Sequence, residues 1–376
     1  MRFELLAEDT GTSARLGRLH TEHGAVDTPV FMTVGTLGNV KGVHTQQLMD
    51  VVDAPMLLGN TLHLYLRPGT EVLEHAGGLH GFLKWPRPIL SDSGGFQVYS
   101  LSAIRSIKEE GVKFKSHIDG SSHFFSPEFS VDVQRSIGAD IVMAFDECTP
   151  YPCTHEYAAK SMHMTHRWLD RCLLRMERTK ALYGHHQELF GIVQGSVYPD
   201  LRRQSAEYVA YSNCFGNAIG GLSVGEPSEE MYAMSALVCQ ILPRHKPRYL
   251  MGVGKPEDLL ENIARGIDMF DCVMPTRNGR NGTIFTAEGR MNMRNAKWKS
   301  DFKPLNDQRL SFLDDWYSRA YLRHLFNSGE MLGGIIASVQ NLVFYQWLMA
   351  EARMHLAQGS FGPWMRDILP KLKRKL

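Results

Sequence analysis

What this sequence lacks narrows it first. Its six cysteines, at 148, 153, 172, 214, 239 and 272, contain no CxxC pair, which excludes a disulfide-stapled module and points to free thiols in a reducing cytoplasm. No apolar run opens the chain, where Glu4, Glu8 and Asp9 intervene, so no secretory signal is expected there. The longest uncharged stretch, 331–350, is broken by Ser338, Gln340, Asn341 and Gln346; it reads as a buried helix, not a membrane span. No Walker sequence occurs, and Gly252-Val253-Gly254-Lys255-Pro256-Glu257 has Glu where a dinucleotide fingerprint needs its third Gly, which speaks against a nucleotide cofactor. Net charge is nearly absent, at +1. That balance hides a split, because residues 276–376 hold 16 Lys+Arg against 8 Asp+Glu, leaving 25 against 32 for residues 1–275. A basic last quarter on an acidic body suits a polyanionic partner.

What is present is enough for one large barrel and an added subdomain: 376 residues, 43% of them hydrophobic. Short apolar runs at 29–34, 56–59, 89–92, 140–146, 189–194, 218–221, 249–253 and 269–272 read as eight strands. Helical periods at 45–52, 127–137, 156–176, 200–211, 229–242 and 256–267 lie between most of them, with Ser126 and Ser228 as expected N-caps. Eight βα units predict an α/β fold, a closed (β/α)₈ TIM barrel. Residues 112–126 alternate around Asp119-Gly120 and read as an inserted β-hairpin. The rhythm stops after Cys272, so a boundary is expected near Met274. Residues 1–275 then form the catalytic barrel with N-terminal strands, and 276–376 a basic, mainly helical C-terminal subdomain.

Barrel enzymes keep their chemistry at the C-terminal ends of the strands. The third run ends in Asp92, Gly94, Gly95, Phe96 and Gln97, the fourth in Asp146-Glu147-Cys148, and the fifth in Gln194. The sixth ends in 220–226, from Gly220 to Glu226, and the eighth in Asp271. Any one of these aspartates could simply cap a helix; five polar strand ends together do not reduce to capping. Two carboxylates in one pocket also permit glycoside chemistry, so hydrolysis of free sugars stands at this point as a second reading. Arg277-Asn278-Gly279-Arg280-Asn281-Gly282 opens a basic run continuing through Arg290, Arg294, Lys297, Lys299 and Lys303. It reads as a solvated loop, or as one that meets nucleic-acid phosphates. His163 with His166, and Cys148 with Cys153 and His155, lack the spacing of a structural metal site.

At these residues the chain resembles the tRNA-guanine transglycosylases, closely the bacterial type also called queuine tRNA-ribosyltransferase, over nearly its whole length from Gly24 to about Met354. The motifs are SDSGGFQV at 91–98, MAFDEC at 143–148, GIVQGS at 191–196, GGLSVGE at 220–226, YLMGVG at 249–254 and FDCVMPTRNGRNG at 270–282. The resemblance implies base exchange at the wobble position of tRNAs with a GUN anticodon, those for aspartate, asparagine, histidine and tyrosine. Asp271 matches the nucleophile that attacks ribose C1′ of guanosine 34, and Asp92 the residue that moves protons. Asp146, Gln194 and the Gly221 N–H match positions that read the guanine-like edge, with the ring between Phe96 and Met251. The Leu222 carbonyl would accept from the aminomethyl group of 7-aminomethyl-7-deazaguanine, with Glu226 fixing that peptide from behind. Arg277 and Arg280 match positions near the RNA backbone. A cytoplasmic homodimer is implied, with tRNA and a free 7-deazaguanine base as partners.

Two departures from the family pattern carry expectations of their own. Family members usually hold a structural zinc through Cys-x-Cys-x-x-Cys and a later His; those four positions fall on Arg309, Ser311, Asp314 and Gln340. The expectation is a chain without zinc or other cofactor, with Leu310, Phe312, Leu313 and Trp316 as apolar replacements. Ser223 stands where bacterial enzymes commonly have Ala, whereas Cys148 and Val224 are retained as in enzymes that take the small aminomethyl base. This favours that base over direct insertion of queuine. An inactive RNA-binding subunit is the remaining alternative, and retention of both Asp92 and Asp271 argues against it.

Overall fold

A computed structural model describes residues 1–96 and 105–376. The chain opens with an antiparallel sheet of β1 (Arg2–Glu8), β2 (Arg15–Thr21) and β3 (Gly24–Thr28). Parallel strands β4 (Val30–Gly35), β5 (Leu57–Gly59) and β6 (Ile89–Ser91) follow. Then comes a small antiparallel sheet of β7 (Arg105–Lys108), β8 (Gly111–Lys115) and β9 (Ser122–Phe125). Strands β10 (Ile141–Met143), β11 (Glu188–Val193), β12 (Gly216–Ile219), β13 (Arg248–Leu250) and β14 (Met269–Asp271) complete the parallel set. They close in chain order, β14 pairing back onto β4 through Met269 and Val30. This is the (β/α)₈ barrel expected from the eight runs.

Alternation along each strand sorts its side chains into two cores. Val30, Met32, Leu58, Leu90, Ile141, Met143, Phe190, Ile192, Ala218, Tyr249 and Met269 fill the interior, and Leu19 and Val26 of the first sheet pack against them. Their neighbours Phe31, Leu57, Ile89, Val142, Leu189, Val193, Ile219, Leu250 and Phe270 face outward into the layer beneath the helices. The interior is therefore packed, and only its end is open to chemistry. Continuing the same parity past Leu90, Ile192 and Met269 turns Asp92, Gln194 and Asp271 inward at the C-terminal mouth.

Several expectations need correction. The insertion is three-stranded: the turn at Asp119-Gly120 joins β8 to β9, but β7 precedes them and pairs with β8 from Arg105 opposite Phe114 to Lys108 opposite Gly111. Its Arg-Ser-Ile-Lys holds too little apolar alternation to read as a strand. The β7–β8 turn is tethered from outside, by Arg167 on the Glu109 carboxylate and Arg171 on the Glu109 carbonyl. Ser126 does cap helix Pro127–Ile137, accepting from Phe129 N at 3.1 Å. Ser228 does not cap; it is the first residue of helix Ser228–Ile241, and Pro227 stands before it. The basic stretch after β14 is not a loop either, since helix Met274–Arg280 forms there with Pro275 in its first turn.

Beyond that helix a hairpin of β15 (Thr283–Thr286) and β16 (Gly289–Asn292) leads to helices Phe312–Trp316, Arg319–Ser328, Met331–Ala357 and Phe361–Leu372. The 27-residue helix Met331–Ala357 contains the long uncharged stretch and is a buried element of the barrel. Tyr345 packs against Phe31, ring centroids 4.8 Å apart, and Gln346 and Arg353 donate to the carbonyls of Phe31 and Pro29 at 3.1 and 2.7 Å. Among the described residues no helix is long and apolar enough to cross a membrane. All six cysteines are free thiols.

Two polar clusters hold the periphery. Asp140, buried ahead of β10, accepts from His23 Nδ1 at 2.8 Å and Ile89 N at 2.9 Å, and lies 3.3 Å from His80 Nε2. Burial would raise this carboxyl, but the bonds from His80, His23 and Ile89 outweigh it and hold it at about 2. His23, His80 and His185 gather there, yet the first two rings stack face to face at 3.6 Å. His23, from the turn of the first sheet, thereby ties that sheet to the barrel through Asp140. In the C-terminal part, Gln340 Nε2 donates to both oxygens of Asp314 at 3.0 and 3.2 Å. Ser311 Oγ donates to Gln340 Oε1 at 3.2 Å, and Asn306 N and Ser311 N also donate to Asp314. The expected apolar replacements do not fill this place: Leu313 is buried, but Phe312 is 47% and Trp316 77% exposed. A hydrogen-bonded clasp stands there, because three of the four positions carry polar groups of matching donor and acceptor character.

Candidate active site

Asp92 lies just past β6. Its Oδ1 accepts from Thr61 N at 2.8 Å and Gly94 N at 3.1 Å, and its Oδ2 accepts from Asn60 Nδ2. Burial pushes this carboxyl up to about 6, against those three bonds, with the nearby Asp271 charge adding to the rise. A carboxyl poised there can both give and take a proton near neutrality. Asp271, at the end of β14, is held on one oxygen only. Tyr249 Oη donates to Oδ1 at 2.6 Å and Gly252 N donates to the same atom at 2.8 Å. Oδ2 receives no hydrogen bond among the described residues, and burial raises this carboxyl as well.

A second group of polar residues gathers beside this pair. Asp146 Oδ1 accepts from Ser93 Oγ at 3.2 Å and Oδ2 from Gln194 Nε2 at 2.7 Å, while burial pushes the carboxyl up to about 6. Gln194 Oε1 is buried without a partner among the described residues. Such an orphan is costly, and the amide turned over would present Nε2 there in its place, giving up the bond to Asp146. The side chain of Gln194 lies against Gly220 and Gly221, where a Cβ would collide with its amide; Gly221 also has φ +63. Glu226 accepts from Val224 N at 2.9 Å and from Ser223 N. Because a trans peptide points its N–H and C=O oppositely, the Leu222 carbonyl faces away from Glu226. Cys148 is buried close by, and burial lifts its thiol to about 12, which leaves it a neutral wall and not a nucleophile.

The remaining expected residues sit around the mouth. Met251 follows β13 and packs on the interior core, and Phe96 is 46% exposed. Gln97 and Val98 of the third strand-end motif lie outside the described residues. Arg277 projects from helix Met274–Arg280, directly after Asp271, into solvent, whereas Arg280 is half-buried with Nη1 lacking a partner among the described residues. Sequence reasoning missed Asn60, Thr61, Tyr249 and Arg202. The first two directly follow β5, and the strand-end rule applied to every run would have found them. Tyr249 was recoverable from strand parity. Arg202 gave no signal, since arginine on a helix is ordinarily solvated. At the four positions matched to zinc ligands, neither a thiolate nor an imidazole is offered, and the Asp314 oxygens are already engaged. This donor set does not fit a structural zinc.

A packed parallel barrel carrying three carboxylates at its C-terminal mouth has the architecture of a barrel enzyme. The family pattern for queuine tRNA-ribosyltransferase matches residues 9–374. The chain is 50% identical over 371 residues to a queuine tRNA-ribosyltransferase of Symbiobacterium thermophilum, covering 99% of this chain and 91% of that protein. It is 52% identical over 369 residues to that of Ruminiclostridium cellulolyticum, covering 98% and 97%. It is 51% identical over 375 residues to that of Acetivibrio thermocellus, covering 100% and 99%. The chain belongs to the queuine tRNA-ribosyltransferase family, and it is an enzyme, a transferase acting in tRNA modification.

Proposed function

We propose that the enzyme exchanges guanine 34 of GUN-anticodon tRNAs for 7-aminomethyl-7-deazaguanine through a covalent tRNA intermediate. The observation that carries this reading is the asymmetry of Asp271, whose Oδ1 is fixed by Tyr249 and Gly252 while Oδ2 keeps its electron pairs. Oδ2 attacks C1′ of the flipped nucleotide, the C1′–N9 bond breaks, and its electron pair leaves with guanine. Asp92 protonates the departing base and then takes a proton from the incoming one, which attacks the same carbon and frees Asp271. Two inversions retain configuration. Asp146 accepts from the N–H edge of the base, while the Gln194 amide, turned over, and the Gly221 N–H donate to its O6. The ring lies between Phe96 and Met251. The Leu222 carbonyl receives the aminomethyl group, with Glu226 behind it, and Cys148 and Val224 support the small base over queuine.

The same reading assigns Arg277 and Arg280 to the RNA backbone and residues 276–376 to an RNA-facing, dimer-forming subdomain of a cytoplasmic homodimer that folds without zinc. The decisive experiment offers guanine 34 tRNA with labelled guanine, 7-aminomethyl-7-deazaguanine or queuine. Incorporation at position 34 that disappears in Asp271→Asn, with the aminomethyl base competing best, is the expected result. Incorporation of none of the three removes the reading, and preference for queuine replaces its last step.

A further inference from the structure

Arg202, in helix Pro199–Tyr211, is fully buried, yet among the described residues no carboxylate pairs with it. Its partners among the described residues are carbonyls: Nε donates to Ser196 at 2.6 Å, Nη1 to Val193 at 3.0 Å and Gly220 at 2.8 Å, and Nη2 to Gly221 at 3.1 Å. Burial lowers this guanidinium only to about 10, so it remains a cation at neutral pH. An unpaired buried charge is expensive, and a hydrophobic side chain would fill the space at less cost. The four carbonyls name what the charge secures. Two belong to the end of β11, on either side of Gln194, and two to the glycines that follow β12.

Each bond sets the opposite face of its peptide. With the Gly220 carbonyl turned toward Arg202, the Gly221 N–H lies on the other side, where it meets the Cys148 thiol. With the Gly221 carbonyl turned the same way, the Leu222 N–H is directed outward as well. Glu226 takes the next two amides, Ser223 N and Val224 N. A cation on consecutive carbonyls and an anion on consecutive N–H groups thus fix one short loop from two sides without touching each other.

We propose that Arg202 is a positioning residue for base recognition: its fork ties the end of β11 to the loop after β12, so that the Gln194 amide and the Gly221 N–H meet one edge of the base at a fixed separation. The inference rests on the base-reading roles given above for Gln194 and Gly221. Lysine keeps the charge but cannot reach four carbonyls as a fork.

Arg202→Lys and Arg202→Gln are to be compared with Arg135→Lys in steady-state exchange and thermal melting. Arg135 is a control of the same kind, buried and bound to the Met176 and Thr179 carbonyls and the Gln187 amide outside the barrel. All three variants should lose thermal stability. Only the Arg202 variants should raise KM for the free base, by about tenfold, the equivalent of one hydrogen bond, with kcat at saturating base within about threefold of wild type. Equal melting losses with unchanged base KM overturn the inference. Should neither Arg202 variant fold, amide exchange on the intact wild-type protein decides: the Gly221 amide, whose peptide Arg202 holds, should exchange slowly before any base is added. Fast exchange there that slows only when base binds overturns it. Wild-type protein that incorporates no base fails the earlier reading, and is seen before any variant is made.

Discussion

Tyr249 and Asp271 sit on neighbouring barrel strands, and the phenol donates to the carboxylate Oδ1 across 2.6 Å. The bond orients the carboxylate and stabilises its charge without engaging Oδ2. A hydrogen bond to a charged group is worth about 1.5–3 kcal/mol, so Tyr249→Phe should slow formation of the covalent tRNA complex by about 10- to 100-fold. Denaturing gels after rapid quench measure that rate directly. Asp271→Asn should form no such complex, and a Tyr249→Phe protein with the wild-type rate takes the phenol out of the chemistry.

Burial holds both Asp92 and Asp146 at about 6, against roughly 4 for an unperturbed aspartate. The base-exchange rate at low substrate should therefore fall on the acid side with an apparent pKa near 6. Because Asp271 adds to the rise at Asp92, that value belongs to the cluster and not to one residue. A profile flat down to pH 5 contradicts the assignment of these carboxylates to the rate.

The same shift is a statement about stability. Asp92 binds its proton more tightly folded than unfolded, so its contribution is most favourable below the unfolded value of 3.8 and is lost as pH rises through about 6. Asparagine does not titrate. The stability of Asp92→Asn relative to wild type should improve by about 2–3 kcal/mol between pH 4 and pH 7.5, read from urea melts at the two pH values. A difference independent of pH, or of opposite sign, refutes the buried, raised carboxyl.

The Ser311–Asp314–Gln340 clasp occupies the place where the resemblance puts metal ligands. Metal analysis of purified untagged protein should find no zinc bound by this subdomain, and chelators should leave the melting temperature unchanged. Asp314→Ala strands the Asn306 and Ser311 amides and the Gln340 side chain, at about 1–3 kcal/mol for a buried unsatisfied group. Stoichiometric zinc that Asp314→Ala removes would sink the clasp as a metal-free device.

Arg277 and Arg280 are assigned to phosphates, and phosphate contacts release counterions. Replacing either by Ala should weaken tRNA binding and reduce the slope of log affinity against log salt by about 1. Unchanged slopes move the RNA path away from helix Met274–Arg280.

Much of the fold was legible because strand alternation and helical period are local signals. The eight runs recovered the barrel, and the strand-end rule named Asp92, Asp146, Gln194 and Asp271, which the fold brings to one mouth. The misses have a common cause. Strand β7 pairs with β8 across a short turn, and the arginines that hold that turn come from helix His155–Arg178, far along the chain. Phe312 and Trp316 look like core by composition but face solvent, since Asp314 and Gln340 fill that space with hydrogen bonds.

The sequence by itself determined the barrel, the identity and order of its mouth residues, the free thiols and the division into an acidic body and a basic C-terminal part. These depend on residue type and spacing along the chain. Only the tertiary structure decided which Asp271 oxygen is tied and which is left open, that burial lifts Asp92 and Asp146, and that Arg202 binds carbonyls instead of water. Desolvation and hydrogen-bond partners are set by groups distant in the chain, and no local pattern records which of them will meet.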